Sequence, residues 1–213
     1  MFGSNVIPAI FAIGLVAHCQ SPIQRDSPFQ VRYAANLIAG ESYINIINTG
    51  SNGAPLNGPG FSVGTGNICV NIYAVDPTEN LISCCSCLVT PNQTVNLGVN
   101  RDMLIKTLTP VTPPSATILL IGSNPNATNC TNTAALVGTP NNSVTGGFVA
   151  FGTTLHATKP GVYASAEAPF APAQLSSDQL SSLTGRCAFI IGNGSGYGTC
   201  LSCELGALTA LKQ

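Results

Sequence analysis

"NICVNIYAVDPTENLISCCSCLVT", Asn67 to Thr90, sets two apolar runs around the turn-forming pentapeptide "DPTEN". β-Branched and aromatic residues on either side of such a pentapeptide form a strand–turn–strand signal. Pairing Asp76 with Asn80 puts Ala74 opposite Ile82, Ile72 opposite Cys84 and Val70 opposite Ser86. That face is almost wholly apolar and is expected to be the core face. The other face then carries Val75 with Leu81, Tyr73 with Ser83, Asn71 with Cys85, and Cys69 with Cys87. Directly opposed residues of antiparallel strands lie ~4.5–5.5 Å apart at Cα, within disulfide reach, so the register predicts a Cys69–Cys87 bridge. A slip of one residue would remove it.

Strand alternation separates the three clustered cysteines. Cys84 is expected on the core face, with Cys85 and Cys87 on the other. From there Cys84 is placed to hold a C-terminal helix through Cys187. Cys85 is placed to reach Cys200 or Cys203 in "GTCLSCELG", and Cys130 takes the remaining partner. Each bridge would contribute ~2–4 kcal/mol by constraining the unfolded chain. Two other readings of the cysteines compete. Cys200-x-x-Cys203 with Cys85-x-Cys87 would give four thiolates for one tetrahedral ion, and a dithiol could be redox-active. A lone C-x-x-C is a weak signal, and the second pair lacks zinc-ribbon spacing, so disulfides are preferred.

Outward from the hairpin, "PFQVRYAANLIAG" and "ESYINIINTG" read as strands separated by Gly40, and "SNGAPLNGPG" as a loop. "TPNQ" is a turn before the strand "TVNLGV". "SATILLIG", "GGFVAFGTTLHAT" and "GVYASAEA" add further strands. One helix stands out in "LSSDQLSSLTGRCAFIIG". Ser176 or Ser177 can cap it and Asp178 falls in its first turn. Leu180, Leu183, Cys187 and Ile190 or Ile191 recur at helical spacing, and Gly192 or Gly194 can end it. Many short strands and one late helix predict a mainly β protein: a disulfide-stapled antiparallel β-sandwich with one C-terminal α-helix.

Charged residues make up 7% of the 213-residue chain, against ~25% in an average protein. The formal net charge is −1, and the few charges are scattered. No basic stripe is present to neutralise phosphates, which argues against nucleic acid, and no polybasic cluster suits anionic lipid. A surface of Asn, Thr, Ser and Gly is weakly repulsive and suits either close association or an amide-solvated monomer. "VIPAIFAIGLVA" has the length of a signal-peptide apolar core and is too short for a membrane-spanning helix, although no Lys or Arg precedes it. "LVAHC", ending at Cys19, also resembles a lipoprotein box, with His18 where a small residue is expected. The expected organisation is a signal peptide over 1–20 and one domain over 21–213. Removing the signal leaves Cys69, Cys84, Cys85, Cys87, Cys130, Cys187, Cys200 and Cys203, an even set that fits an oxidising, extracellular compartment.

Catalytic parts are scarce. His156 in "GTTLHATKPG" is the single histidine of that mature chain, and its conceivable carboxylate partners Asp102, Asp178 and Glu167 are distant in sequence. "GNGSGYG" lacks both the G-x-S-x-G frame and the G-K-[ST] ending. The carboxylates are isolated apart from the turn pair Asp76 and Glu79, so glycoside hydrolysis is not indicated. A non-enzymatic role without a cofactor is expected. The alternative is copper or zinc bound through His156, the cysteines, or both.

"GNICVNIYAVDPTENLISCCSCLVTPN", "FGTTLHAT", "EAPFAPAQLSSDQLSSLTGRC" and "GNGSGYGTCLSCELGAL" carry a resemblance that runs from Val31 to the C-terminus. On these stretches the chain resembles a family of uncharacterised secreted cysteine-rich proteins of acidobacterial-type soil bacteria. The resemblance implies export and a shared cysteine frame, and no established activity. The expected role is therefore structural or cell-surface associated, with homo-oligomers or a filament as its concrete form. Phe29, Val31 and Tyr33 in "SPFQVRYAANLI" would supply a strand to a neighbouring subunit's sheet, or pair within their own domain.

Overall fold

The central hairpin forms where the sequence places it, but one extra residue changes its consequences. In the computed structural model, which describes residues 27–53, 65–109, 111–125, 130, 144–201 and 203–205, its strands are β3 (Ile68–Val75) and β4 (Leu81–Val89). The turn closes on the expected pair, Asp76 N–H donating to the Asn80 carbonyl at 3.0 Å. The Asp76 carboxylate accepts from the Thr78 and Asn80 amides, both at 2.9 Å. Val75 faces Leu81, but Ala74 faces Ser83, so Ile82 is a bulge residue with no opposite number. Every later pair is displaced by one: Tyr73 faces Cys84, Ile72 faces Cys85, Val70 faces Cys87, and Cys69 faces Leu88.

The predicted Cys69–Cys87 bridge is therefore not formed. Polarity explains the bulge. The regular register would set Ser86 against Val70 in the core and Cys85 against Asn71. The bulged one joins Cys85, Cys87 and Val89 to Val70, Ile72 and Ala74 inside. It also pairs Ser86 with Asn71, and Ser86 Oγ donates to Asn71 Oδ1 at 2.8 Å. Asn71 Nδ2 in turn donates to Ser123 Oγ at 2.9 Å, so a buried polar set is satisfied internally. The bulge inverts the expected faces of the three cysteines beyond it.

The other strands are β1 (Phe29–Ala35), β2 (Tyr43–Asn48), β5 (Thr94–Gly98), β6 (Ser115–Ser123), β7 (Phe148–Lys159), β8 (Val162–Pro169), β9 (Ala171–Pro172) and β10 (Glu204–Leu205). They make two antiparallel sheets, ordered β4-β3-β6-β1-β9 and β10-β5-β2-β7-β8. A π-helical turn at Val99–Met103, not foreseen from the sequence, follows β5. Its Asn100 and Arg101 amides donate to the Glu41 carboxylate. Between the sheets, Ile44, Ile46, Val95, Leu97 and Phe148 meet Ile68, Val70, Ile72, Ile118 and Leu120. Each such side chain contributes ~1.5–3 kcal/mol on full burial.

Helix α1 (Ser177–Gly192) begins at the expected cap, with Ser176 Oγ accepting from the Gln179 amide at 3.1 Å. Leu183, Cys187 and Ile190 pack on Phe29, Tyr73, Leu81, Cys84, Leu119 and Ile121. These residues lie on the outer face of the first sheet, which is thus buried on both sides. That explains why β3 and β6 read as near-continuous apolar runs.

Candidate functional site

Four disulfides are present: Cys69–Cys130, Cys84–Cys187, Cys85–Cys200 and Cys87–Cys203. The expected Cys84–Cys187 link is formed, Cys85 takes Cys200, and Cys130 bonds Cys69 in place of Cys87. Three bridges tie β4 to the C-terminal region in sequence order. Cys84 bonds α1 on the outer face, whereas Cys85, Cys87 and Cys200 belong to the inter-sheet core. The tail passes from one face to the other around the edge of β4. Cys84 N–H donates to the Gly198 carbonyl at 2.9 Å and the Cys200 amide returns to the Cys84 carbonyl at 3.4 Å. β10 then pairs with β5, with Glu204 opposite Asn96. The C-terminal segment thereby covers an edge of each sheet.

Among the described residues no further strand pairs with the opposite edge of the second sheet, which is β8. β7 pairs with β2 through its first half and with β8 through its second, so the β7–β8 hairpin projects past the sandwich. All eight residues of β8 are exposed. Its base is anchored by Arg32, whose guanidinium donates to the Ala168 carbonyl at 2.9 Å and to Thr154 Oγ1 at 3.0 Å. Burial lowers the Arg32 pKa, against the opposing effect of the Glu167 charge. Val162–Glu167 have no strand on their outer side among the described residues, and Glu167 is their one charged side chain.

The sequence candidates are dispersed. Phe29 is buried under α1, Val31 packs against the same cluster and Tyr33 is exposed. Their strand pairs with β6 along its full length, and Gln30 and Val31 pair with β9, all within one chain. His156 is exposed on the hairpin arm opposite Ala164. Glu167 sits opposite Thr153, on the other face of that arm. Asp102 is buried against Arg101 at 2.6 Å, and Asp178 lies in the first turn of α1. No histidine–carboxylate pair arises from these residues. The cysteine sulfurs of both clusters are oxidised, which removes the thiolates that a tetrahedral ion would need. Among the described residues no group of three or more His, Cys, Asp or Glu side chains is placed to hold a metal ion. The signal-peptide reading of 1–20, the Cys19 motif and the predicted loop at 54–60 lie outside the described residues.

Sequence reasoning missed a pair of clefts beside α1. One, of about 480 Å³, lies between the helix, the start of β4 and the 108–109 segment, and is walled by Leu81, Ile82, Leu108, Phe189 and Ile190. The second, of about 440 Å³, is more polar and includes Asp76, Glu79, Gln179 and Ser182. Leu81 and Arg186 line both, so Arg186 stands on the ridge between them. Partial desolvation pushes the Asp76 carboxyl up, but hydrogen bonds from Asn80 and Thr78 outweigh it and hold its pKa below the ordinary value. The helix was legible in sequence, but Gly185, Arg186 and Phe189 lie off its apolar stripe and their cleft depends on Leu108 and Thr109 from a distant segment.

Among the described residues no helix is long and apolar enough to cross a membrane. No family model, curated protein or solved structure matches the chain.

Proposed function

We propose that the protein is a secreted structural or cell-surface subunit that associates with further copies of itself by extending its second sheet. The observation that carries this reading is the edge of β8, which no strand among the described residues covers. An exposed strand edge offers backbone donors and acceptors to another strand, and proteins that stay monomeric commonly protect such edges with charge, proline or cover. Here the far side of the sandwich is covered by the disulfide-held tail, while among the described residues nothing pairs with the outer side of Val162–Glu167.

A second copy suits this edge. In an antiparallel pair of β8 strands centred on Ser165, Ala164 of each copy faces Ala166 of the other, and Tyr163 faces Glu167. The two Glu167 carboxylates are kept apart, and a net charge of −1 gives little long-range repulsion. The N-terminal strand is a weaker donor. Release of β1 would break its pairing with β6 over the whole of Phe29–Ala35 and expose the buried Phe29 and Ala34. Four disulfides support an oxidising, extracellular setting.

Sedimentation across a range of concentrations, with electron microscopy of the oxidised protein, tests this function. Concentration-dependent oligomers or filaments are expected, and the double variant Ala164→Lys, Ala166→Lys should remain monomeric with its fold intact. A wild-type chain that stays monodisperse and monomeric at every concentration would overturn the reading.

A further inference from the structure

The apolar cleft beside α1 is independent of the β8 edge and has a chemistry of its own. Its walls are aliphatic and aromatic, and its volume of about 480 Å³ falls in the range of small-molecule sites. Phe189, at 76% relative exposure, and Leu108, at 44%, stand at its mouth in contact with solvent. Between this apolar space and the neighbouring cleft stands Arg186. Its described hydrogen bond runs to the Glu79 carbonyl at 3.5 Å, at the outer limit for such a contact. The one ion pair among the described residues is Arg101–Asp102. Asp76 and Glu79 line the neighbouring cleft, and the Asp76 carboxylate is already engaged by Thr78 and Asn80.

Gly185 provides the second observation. It lies well inside α1, where glycine is less favourable than alanine because of its backbone freedom. Neither close packing nor backbone conformation requires it: a Cβ built there meets nothing within 4 Å. Gly185 lines the same apolar cleft, one residue before Arg186. Any larger side chain would occupy space that the ligand would need.

We infer that this cleft binds a small amphipathic carboxylate, its hydrocarbon or aromatic body against Leu81, Ile82, Leu108 and Phe189 and its carboxylate on Arg186. A planar guanidinium at the rim of an apolar pocket favours an anionic head group through charge-assisted hydrogen bonds. An uncharged analogue keeps the apolar contacts and loses that gain.

The test titrates the oxidised full chain with dodecanoate, below the concentration at which it self-associates, and follows amide chemical shifts and heat of binding. Dodecanol serves as the uncharged comparator. Saturable binding with shifts centred on Gly185, Phe189 and Leu108 is expected, with dodecanol about tenfold weaker. Arg186→Gln should bring dodecanoate down to the dodecanol level. Gly185→Leu should abolish binding of both while raising the melting temperature, which separates a filled cleft from a damaged fold. Absence of saturable binding, equal affinity for the two probes, or unchanged binding in Gly185→Leu would overturn the inference.

Discussion

Cys84 and Cys85 are consecutive residues of one strand, yet their disulfides lie on opposite faces of the sheet. Cys84 holds the helix through Cys187, with Cα atoms 6.0 Å apart. Cys85 holds the tail through Cys200, with Cα atoms 5.5 Å apart. The C-terminal segment therefore clasps β4 from both sides, and the two bridges have separable roles.

Replacing Cys84 and Cys187 together by serine should loosen α1 while sparing the inter-sheet core. The expected loss is ~2–4 kcal/mol in chemical denaturation. Hydrogen exchange should show α1 amides losing protection while β2, β5 and β7 amides retain theirs. Uniform loss across both sheets would contradict the division of roles.

Tyr73 is fully buried, and its hydroxyl has no hydrogen-bond partner among the described residues. Burial pushes its pKa far above the ordinary tyrosine value. Tyr73→Phe removes the desolvated hydroxyl and keeps the ring against Leu183 and Cys187. It should leave stability unchanged or raise it by ~1 kcal/mol, as read from denaturant midpoints.

Asp76 links the hairpin turn to acid stability. Its folded pKa is depressed below 3.8, so its contribution is fully present above that value and is lost as pH falls through the folded value. Asp76→Ala should cost ~1 kcal/mol at pH 7 through lost turn hydrogen bonds. Stability measured from pH 7 to pH 2 should fall less steeply in this variant below about pH 4 than in the wild type.

Gly122 allows β6 to run beneath the Val144–Phe148 segment. A Cβ there would stand 2.8 Å from Phe148 Cε1 and also meet the Thr145 carbonyl oxygen. Gly122→Ala should therefore destabilise by ~1–3 kcal/mol through overpacking. Gly161→Ala, at the exposed tip of the β7–β8 hairpin, meets no atom within 4 Å and tests a different cost, the positive φ of 74°. Its destabilisation should be smaller, at ~1 kcal/mol.

Much of this fold was legible because its signals are local. The Asp76–Asn80 turn, the Ser176 cap and the apolar spacing of α1 are set by residues within a few positions of one another. The Cys84–Cys187 pairing was read correctly, although Cys84 reaches the helix from the outer face and not from the core face expected for it. The Cys69–Cys87 error came from Ile82. A bulge is selected by what the distant half of the strand gains, here Ser86 meeting Asn71 and Val89 entering the core, and nothing in the turn announces it. The β8 edge and the Arg186 cleft were illegible for a related reason. Both are defined by which other segment covers a surface, and that is decided by the tertiary fold.

The spacing of the cysteines also orders the chain's oxidation. Cys69 meets its partner after 61 residues, whereas Cys84, Cys85 and Cys87 wait for 103, 115 and 116. Until the segment carrying Cys187, Cys200 and Cys203 is in place, the three thiols of β4 lack their native partners. During that interval they can bond Cys69, Cys130 or one another. Correct closure then depends on thiol–disulfide exchange continuing until Cys187, Cys200 and Cys203 compete for these sulfurs, so the segment that completes the pairing also displaces wrong partners.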